Sequence, residues 1–397
     1  MIRRAPWLLL LLFACGDRGV SVFVPADGPR PGGGVSVMGG LEQRSPALSW
    51  MGDGALLAWS ERGLTPTLNV ARIGPEDTVV SGMVIQEGEV SDVHLWPRPG
   101  ADWLLSLQQT SRVGLWSITT DLEGFDHRGI GSANSSAGMR AIRFGGATYA
   151  AWTGNANNDY DVWGGFIDDD NRVRAGTDGS LTPGNNYEYA PALAQVGDQR
   201  LLVWERFSSM VNYNYDVTGR WLDGSMAGFE LPAVGNQDAI VAVGGESVAL
   251  IVWHDTESGL VATRARPDGT LVERAPVKLW PSRGARAAVA AVPGGFLIAG
   301  PGLRDGVTAL RLLMVDETSR IEPDRAVWLA EGELGNTDDG PALIVGSDGR
   351  GLIAFAHGTG TSTAIDCRRI ALRPPPMSCR RAAECLTSRC VSGQCAE

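Results

Sequence analysis

Residues 250–272 read LIVWHDTESGLVATRARPDGTLV, and the order of elements in this stretch decides the fold. An apolar run that ends at Trp253 is followed by a polar loop, a second β-like run and the turn Asp268-Gly269. Asp-Gly between two β-like runs is a strong hairpin signal, because both central positions of the turn favour φ > 0. Another strand, AIVAV, precedes the first run across the turn VGGE. The stretch therefore predicts a unit of antiparallel strands joined by tight turns.

The same order recurs along the chain, with an apolar strand that ends in an aromatic or small residue in every unit. Seven such units follow one another at intervals of about 49 residues. Repeats of roughly 40 to 50 residues built from short strands are typical of β-propeller blades. We therefore expect an all-β, seven-bladed β-propeller of four-stranded blades over residues 35–372. The second strands of the units end at Trp59, Leu107, Trp152, Trp204, Trp253, Ala299 and Phe355.

The two ends of the repeat array suggest how the ring closes. The last unit ends after its third strand, near Leu372, where a run of three prolines begins. The strand VSVMGG at residues 35–40 precedes the first unit and aligns with the fourth strands of other units. We expect this N-terminal strand to complete the last blade, which would leave no open sheet edge.

Two stretches carry a resemblance to known proteins. VWHDTESGLVATRARPDGTLV and AWTGNANNDYDVWGGFIDDDNRV resemble the repeats of secreted bacterial propeller proteins, which read loosely V-W-x-D, D-I-Y-x-x-R and D-G. The resemblance is good in the third, fourth and fifth units, whereas the second, sixth and seventh lack the Trp. It implies binding or assembly at the cell surface and no common activity.

The N-terminus reads MIRRAPWLLLLLFACGD and predicts an export signal in residues 1–14. Its apolar run of seven residues is too short to span a bilayer as a helix. The segment Leu12-Phe13-Ala14-Cys15 resembles a bacterial lipobox, with Phe13 as the departure from the usual pattern. We expect Cys15 to carry the lipid anchor and residues 15–34 to form a tether.

The charge limits the partners that the mature chain can have. Loss of Arg3 and Arg4 with the signal leaves 32 basic residues against 45 acidic ones. This excess of negative charge disfavours nucleic acid and anionic lipid headgroups. We expect a monomer that is attached to the cell envelope through its lipid, with the outer membrane favoured, and whose partner is a glycan or an envelope protein.

Four cysteines crowd the C-terminal segment 373–397, in the pattern C-x5-C-x4-C-x4-C. This segment resembles short cysteine-rich tails of myxobacterial exported proteins and, more distantly, Dickkopf-type modules. It has too few apolar residues to be held together by burial, and exported chains meet oxidising conditions, so two disulfides are expected. The sequence leaves their connectivity open, and Cys367 remains as an odd cysteine. The tail cysteines are Cys379, Cys385, Cys390 and Cys395.

The chain contains no recognisable catalytic motif, and no catalytic residue, metal site or cofactor is predicted. Four histidines fall at unrelated positions of the units. Acidic residues that follow the second strands, Glu61, Glu205 and Asp255, fit a loop role in which they accept backbone N–H bonds. A carbohydrate-active hydrolase or lyase that uses channel carboxylates remains the alternative to a non-enzymatic binding propeller.

Five of the six tyrosines fall in three segments, GNANNDYD, GNNYEYAP and FSSMVNYNYD. Two of these are loops between second and third strands, and one is the connection between units three and four. Such loops emerge on the same face of a propeller, so we expect a rim of Tyr and Asn side chains. Tyrosine and asparagine suit the recognition of a sugar or a protein. The predicted ligand-binding residues are Asn157, Asn158, Tyr160, Tyr187, Tyr189, Tyr213 and Tyr215.

Overall fold

The computed structural model describes a chain made almost entirely of β-strands. The described residues are 21–23, most of 42–373, and 390–391 with 394–395. Inside the long range the gaps fall at 53, 63–65, 75–78, 88–89, 99–102, 110–111, 120–121, 123–124, 130–136, 157–158, 185–186, 210–213, 225–227, 232–234, 283, 285, 330–333, 335–339 and 360–361.

Each sequence repeat folds into consecutive antiparallel strands, as predicted. The strands of units 1 to 3 are β2 (Glu42–Met51), β3 (Gly54–Arg62), β4 (Thr67–Ile73), β5 (Val79–Glu87), β6 (Ser91–Pro97), β7 (Trp103–Gln109), β8 (Arg112–Ile118), β9 (Phe125–Gly129), β10 (Ala137–Phe144), β11 (Ala147–Ala156), β12 (Asp159–Ile167) and β13 (Gly179–Ser180).

Units 4 to 7 repeat this arrangement, and one 3-10 turn, Pro323–Arg325, is the helical element among the described residues. Their strands are β14 (Glu188–Val196), β15 (Gln199–Ser209), β16 (Asn214–Trp221), β17 (Gly228–Glu230), β18 (Gln237–Gly244), β19 (Ala249–Asp255), β20 (Gly259–Ala265), β21 (Val277–Trp280), β22 (Ala288–Val292), β23 (Gly295–Arg304), β24 (Val307–Asp316), β25 (Val327–Trp328), β26 (Ala342–Val345), β27 (Arg350–Thr359) and β28 (Ser362–Arg373).

The second strand of each unit is apolar along its length because both of its faces are buried. In β15, Leu202 and Trp204 pack against unit 3, whereas Leu201 and Val203 pack against unit 5. Strand β3 alternates in the same way between units 2 and 7. A strand covered on both faces reads as a continuous hydrophobic run rather than as an alternating one. The hydrophobic clusters therefore join each repeat to the next around a ring.

The first strand of several units contains a β-bulge close to its start. The register shifts between Arg44 and Ala47, and corresponding shifts occur in β6, β10, β14 and β18. A bulge adds a residue to one strand and turns side chains toward new directions. Non-glycine residues with positive φ occupy the bulges in four units, which are Ser45, Asp92, Ala190 and Ala239. These bulges face the same end of the molecule, since every first strand begins there.

The prediction of seven blades is wrong when blades are counted as hydrogen-bonded sheets. The described strands of the repeats form six sheets, of which five have four strands and one has eight. The eight-stranded sheet contains the strands of both unit 7 and unit 1. They are joined because β2 pairs in parallel with β28 at one position, Glu42 with Thr363. Two predicted blades thus share one sheet.

The closing strand differs in position from the predicted one. Residues 35–40, which were expected to close the ring, lie outside the described residues. Strand β1 (Ser21–Phe23) pairs with β28 instead, within the segment predicted to be a tether.

The buried side chain of Gln43 connects the first and last units. Its Oε1 accepts a hydrogen bond from the backbone N–H of Ile365 at 2.9 Å, and its backbone carbonyl accepts one from the Thr363 hydroxyl at 2.9 Å. Gln237 makes the equivalent contact between units 4 and 5, where its Oε1 accepts the N–H of Val217 at 2.7 Å. We call this contact the glutamine latch. It satisfies a buried N–H that the strands of one sheet leave without a partner.

The chain divides into two compact units, and the larger one, residues 22–372, contains the propeller strands. In the second, β29 (Cys390–Val391) pairs with β30 (Gln394–Cys395), and Cys379 and Cys385 lie outside the described residues. Cys367 is buried in the cluster between units 7 and 1. Among the described residues there is no helix with the length and apolarity needed to cross a membrane.

We expect Gln43→Ala to lower the free energy of unfolding by about 1–3 kcal/mol, because it leaves the buried Ile365 N–H without its acceptor. Gln195→Ala is the matched control, since Gln195 bonds the Gly197 carbonyl at an exposed position and its loss should change stability by less than about 0.5 kcal/mol. Urea unfolding of both variants measures the difference. Equal stability of Gln43→Ala and the unchanged protein would show that the latch does not hold the ring closed.

Candidate functional site

Four of the predicted tyrosines lie together at the face where the first strands begin. The ring centroids of Tyr160 and Tyr189 are 5.0 Å apart, and those of Tyr160 and Tyr187 are 5.8 Å apart. Tyr215 joins them at 6.0 Å from Tyr189, in an edge-to-face contact. Phe207, which the sequence did not single out, packs 5.2 Å from Tyr215. We call these five residues the tyrosine cluster, and all five are partly exposed.

The fold positions the tyrosine cluster by bringing four strand ends together. Tyr160 lies at the start of β12, Tyr187 directly precedes β14, and Tyr189 is its second residue. Phe207 and Tyr215 lie opposite each other where β15 and β16 pair. Asn157, Asn158 and Tyr213, the other predicted members of the rim, lie outside the described residues.

Two buried carboxyl groups are neighbours of the tyrosine cluster along the chain, since Glu188 stands between Tyr187 and Tyr189 and Asp161 follows Tyr160. Glu188 is 5% exposed, and its Oε2 has no hydrogen-bond partner. Asp161 is 9% exposed, and its Oδ1 also has no partner, although its Oδ2 accepts a bond from the Ser180 hydroxyl at 3.0 Å. Buried oxygens without partners are rare in proteins and call for an explanation.

Glu188 occupies the position of the glutamine latch, as the alignment of LEQRSPAL with NNYEYAPAL places Glu188 opposite Gln43. The N–H that a latch would take here, that of Val162, donates instead to the Thr182 hydroxyl at 2.9 Å. The carboxyl of Glu188 is thus not used to join units 3 and 4 in the way that Gln43 and Gln237 join theirs. This substitution of Glu for Gln is the sequence signal that could have revealed the site.

Glu188 and Asp161 are both acidic, so Asp161 disfavours the ionised form of Glu188, unlike the partner in an ion pair. Burial raises the pKa of Glu188 to about 8, and the nearby Asp161 and Asp159 add to the rise, while Arg206 opposes it. Burial also raises the pKa of Asp161. Burial and the neighbouring tyrosines raise the pKa of Tyr189 to about 12. Among the described residues that act on Glu188, acidic groups therefore outnumber the single basic one, Arg206.

A second polar region lies in the central channel, which holds a cavity of about 460 Å³ lined by the first strands of all seven units. Asp92 is the one carboxylate among the described residues that line this cavity, whereas three arginines line it. Those arginines are Arg140, Arg143 and Arg286.

Asp92 is held by three side chains. Arg140 donates to both of its oxygens, at 3.1 and 3.2 Å, and Arg286 donates to Oδ1 at 2.6 Å. His94 donates to the same oxygen from Nε2 at 2.9 Å. Arg286 comes from unit 6 and Asp92 from unit 2, so this ion pair crosses the channel. A Cβ on Gly138 would lie 1.1 Å from Asp92 Oδ2, so glycine is needed there for the carboxylate to fit.

The network fixes the charge states of its members. Burial opposes ionisation of Asp92, but Arg140, Arg286 and His94 outweigh it and hold the pKa of the carboxyl well below its usual range. Burial, supported by Arg140, lowers the pKa of His94 to about 4 despite the neighbouring Asp92. Asp92 is therefore ionised and His94 neutral at neutral pH, an arrangement that cross-links the channel.

Two further groups extend this polar region. Glu205 accepts the backbone N–H of Ala239 at 3.0 Å, and burial and Asp238 raise its pKa to about 7. His254 donates from Nδ1 to Asp238 at 3.0 Å and accepts the Gly284 N–H on Nε2 at 3.1 Å. The hydrogen bond to Asp238 outweighs burial and raises the pKa of His254.

Asp255, another acidic position singled out in the sequence, has a local role. Asp255 accepts backbone N–H groups of Glu257 and Ser258, at 3.0 and 2.7 Å, as a loop carboxylate does. No group of three or more His, Cys, Asp or Glu side chains in the described part of the chain is arranged to hold a metal ion. Cys15 lies outside the described residues.

Comparison with solved structures supports the propeller. A protein of unknown function from Dyadobacter fermentans DSM 18053 is 13% identical with a TM-score of 0.51, over 84% of this chain and 95% of that one. A puromycin hydrolase is 15% identical with a TM-score of 0.50, over 84% of this chain and 52% of the hydrolase. An alpha-L-arabinanase from Penicillium chrysogenum, solved with arabinobiose, is 12% identical with a TM-score of 0.47, over 89% and 97%.

No family model and no curated protein matches the chain. At these identities the likeness to solved structures shows the fold alone, which is a repeat β-propeller.

The pKa shifts of His94 and His254 predict opposite effects of pH on the free energy of unfolding. The folded pKa of His94, about 4, lies below the value of about 6.5 for an unfolded chain. Between about pH 6.5 and 4, His94 is therefore protonated in the unfolded state but not in the folded state. Stability falls as the pH is lowered through this range. His254, with its raised pKa, contributes stability that is present below about 6.5 and is lost as pH rises through its folded pKa.

We expect His94→Gln to reduce the loss of stability as the pH falls from 6.5 to 4.5, and His254→Gln to reduce the loss of stability as the pH rises above 6.5. The free energy of unfolding in urea at a series of pH values measures both slopes. An unchanged slope in either pH range for the corresponding variant would contradict these charge states.

Proposed function

We propose that this protein is a non-enzymatic binding propeller of the cell envelope, whose ligand is a glycan or a protein. The tyrosine cluster carries the proposal. Its rings are partly exposed at one face and come from two neighbouring units. Rings of this kind offer flat apolar surfaces with polar edges, which suit the faces and hydroxyl groups of sugars.

The central channel supports binding at the tyrosine cluster rather than in the channel. The Asp92 carboxylate is already satisfied by Arg140, Arg286 and His94. The ion pair from unit 2 to unit 6 is part of the cavity lining. Breaking a buried pair of this kind by removing one partner costs about 3–5 kcal/mol, which fits a structural cross-link.

Attachment to the envelope is part of this proposal and rests on Cys15 and the apolar run before it. Several acyl chains anchor a protein far more firmly than a single chain does. A tether of about 20 residues, 15–34, would keep a propeller fixed in this way near the membrane.

A hydrolase that uses channel carboxylates is the second candidate, and the observation in its favour is Glu205, which does not line the cavity but is acted on by the lining residues Arg286 and Arg140. A carboxyl with a pKa of about 7 is suited to act as general acid, and the ionised Asp92 would serve as its partner.

We expect Tyr160→Ala and Tyr189→Ala each to weaken glycan binding by about ten-fold, because each removes a stacking surface worth about 1 kcal/mol or more. A glycan array, followed by dissociation constants for the strongest ligands, provides the measurement. Tyr149→Phe is the control, since Tyr149 is buried away from the cluster. Unchanged affinity in both alanine variants would exclude the cluster as the ligand surface.

The binding proposal and the hydrolase alternative predict different results with carbohydrates. If the protein only binds its ligand, incubation of polysaccharides and aryl glycosides with it between pH 5 and 8 should release no reducing sugar. Release that Asp92→Asn and Glu205→Gln both abolish would favour hydrolysis over binding.

We expect Cys15→Ser to abolish labelling of the protein by radioactive palmitate in a bacterial host and to release it from the membrane fraction. Retained labelling would contradict lipid attachment at Cys15. Labelling of Cys367→Ser, which alters a buried cysteine, should remain as in the unchanged protein.

A further inference from the structure

The Glu188 and Asp161 pair points to a more specific ligand chemistry at the tyrosine cluster. Each residue is more than nine-tenths buried and keeps one carboxyl oxygen without a partner. At the equivalent latch position, Gln43 and Gln237 use their side-chain oxygen to join two units. Unit 4 instead has an acid at this position, and a hydroxyl takes over the N–H that it would have bound. The structural need is thus met without Glu188.

The surroundings of the two carboxyl groups favour a cation. Asp159 adds a further negative charge, and Arg206, the basic side chain that acts on Glu188, is ion-paired with Glu230 at 2.8 Å. Asp159 links the carboxyl groups to the tyrosine cluster, because its charge acts on both Glu188 and Tyr189. Faces of aromatic rings attract cations, and carboxylates strengthen that attraction. Metal ions are a poor fit, because the described residues offer no set of three ligands here.

We infer that Glu188, Asp161 and the tyrosine cluster form a binding site for the ammonium group of an organic cation. The carboxylates supply the charge, and the tyrosine rings cover the alkyl or sugar carbons next to the nitrogen. This inference rests on the proposed function, because it takes the tyrosine cluster to be a ligand surface. An amino sugar and a lysine side chain share the required chemistry.

Calorimetric titration of the full-length protein with tetramethylammonium chloride tests the charge and aromatic parts of the site. We expect saturable binding that sodium chloride does not reproduce, and an affinity that rises between pH 6 and 9 as Glu188 gives up its proton. Glu188→Gln should weaken binding at least ten-fold and remove this pH dependence. The variant should fold, since glutamine is the residue at the same position in units 1 and 5.

Two controls separate a ligand site from a structural carboxyl pair. Glu257→Gln removes an exposed carboxylate in the loop between β19 and β20 of unit 5 and should leave the affinity unchanged. Thermal unfolding of Glu188→Gln should occur at or above the temperature of the unchanged protein, so a loss of binding cannot be due to unfolding. Equal affinity in Glu188→Gln, or no binding by the unchanged protein, would overturn the inference.

Glucosamine and N-acetylglucosamine distinguish this inference from the proposed function. We expect glucosamine to bind and its neutral N-acetyl form to bind at least ten-fold more weakly. Equal binding of the two sugars, with loss in Tyr189→Ala, would keep a glycan-binding propeller and reject the ammonium site. Binding of Nα-acetyl-lysine amide but of neither sugar would keep the ammonium site and indicate a protein as its source.

Discussion

The fold depends on closure of the ring, to which the hydrogen bond between the Ile365 N–H and the side chain of Gln43 contributes where the last repeat meets the first. A chain of repeats has two ends, and a ring brings both into the interior, where every backbone N–H needs an acceptor. Gln43 supplies one from a side chain, since the backbone of β2 pairs with β28 at a single position. The same contact by Gln237 inside the array shows that closure uses a device of the repeat itself.

The proposed ligand site lies where the glutamine latch is absent. Units 3 and 4 are joined by the buried apolar cluster around Leu202 and Trp204, and the Thr182 hydroxyl satisfies the N–H of Val162. The latch position is therefore available for another purpose, and it holds a buried acid, Glu188, beside exposed aromatic rings. Positions that break a local rule of the fold without a structural gain are commonly functional. The channel follows the opposite pattern, because its charged groups are satisfied by one another.

The sequence predicted those parts of the structure that local patterns determine. Apolar runs ending at Trp59 or Trp253 are second strands, because burial on both faces imposes an unbroken apolar sequence. Tyr160 and Tyr189 were expected to meet because propeller topology places their loops on one face. The number of sheets could not be predicted from the sequence, because units 7 and 1 form one sheet through a single backbone pair, Glu42 with Thr363. No pattern in the sequence pointed to Phe207 or Asp161 as site residues. Glu188 could have been recognised, because it aligns with Gln43 and replaces the glutamine by an acid.

A crystal structure of the protein with bound glucosamine tests the central claim most directly, namely that the ligand site lies between units 3 and 4. We expect the amino group within hydrogen-bond distance of the Glu188 carboxylate and the sugar ring against Tyr189. A sugar bound in the channel beside Asp92 and Arg286, with the tyrosine cluster unoccupied, would contradict it.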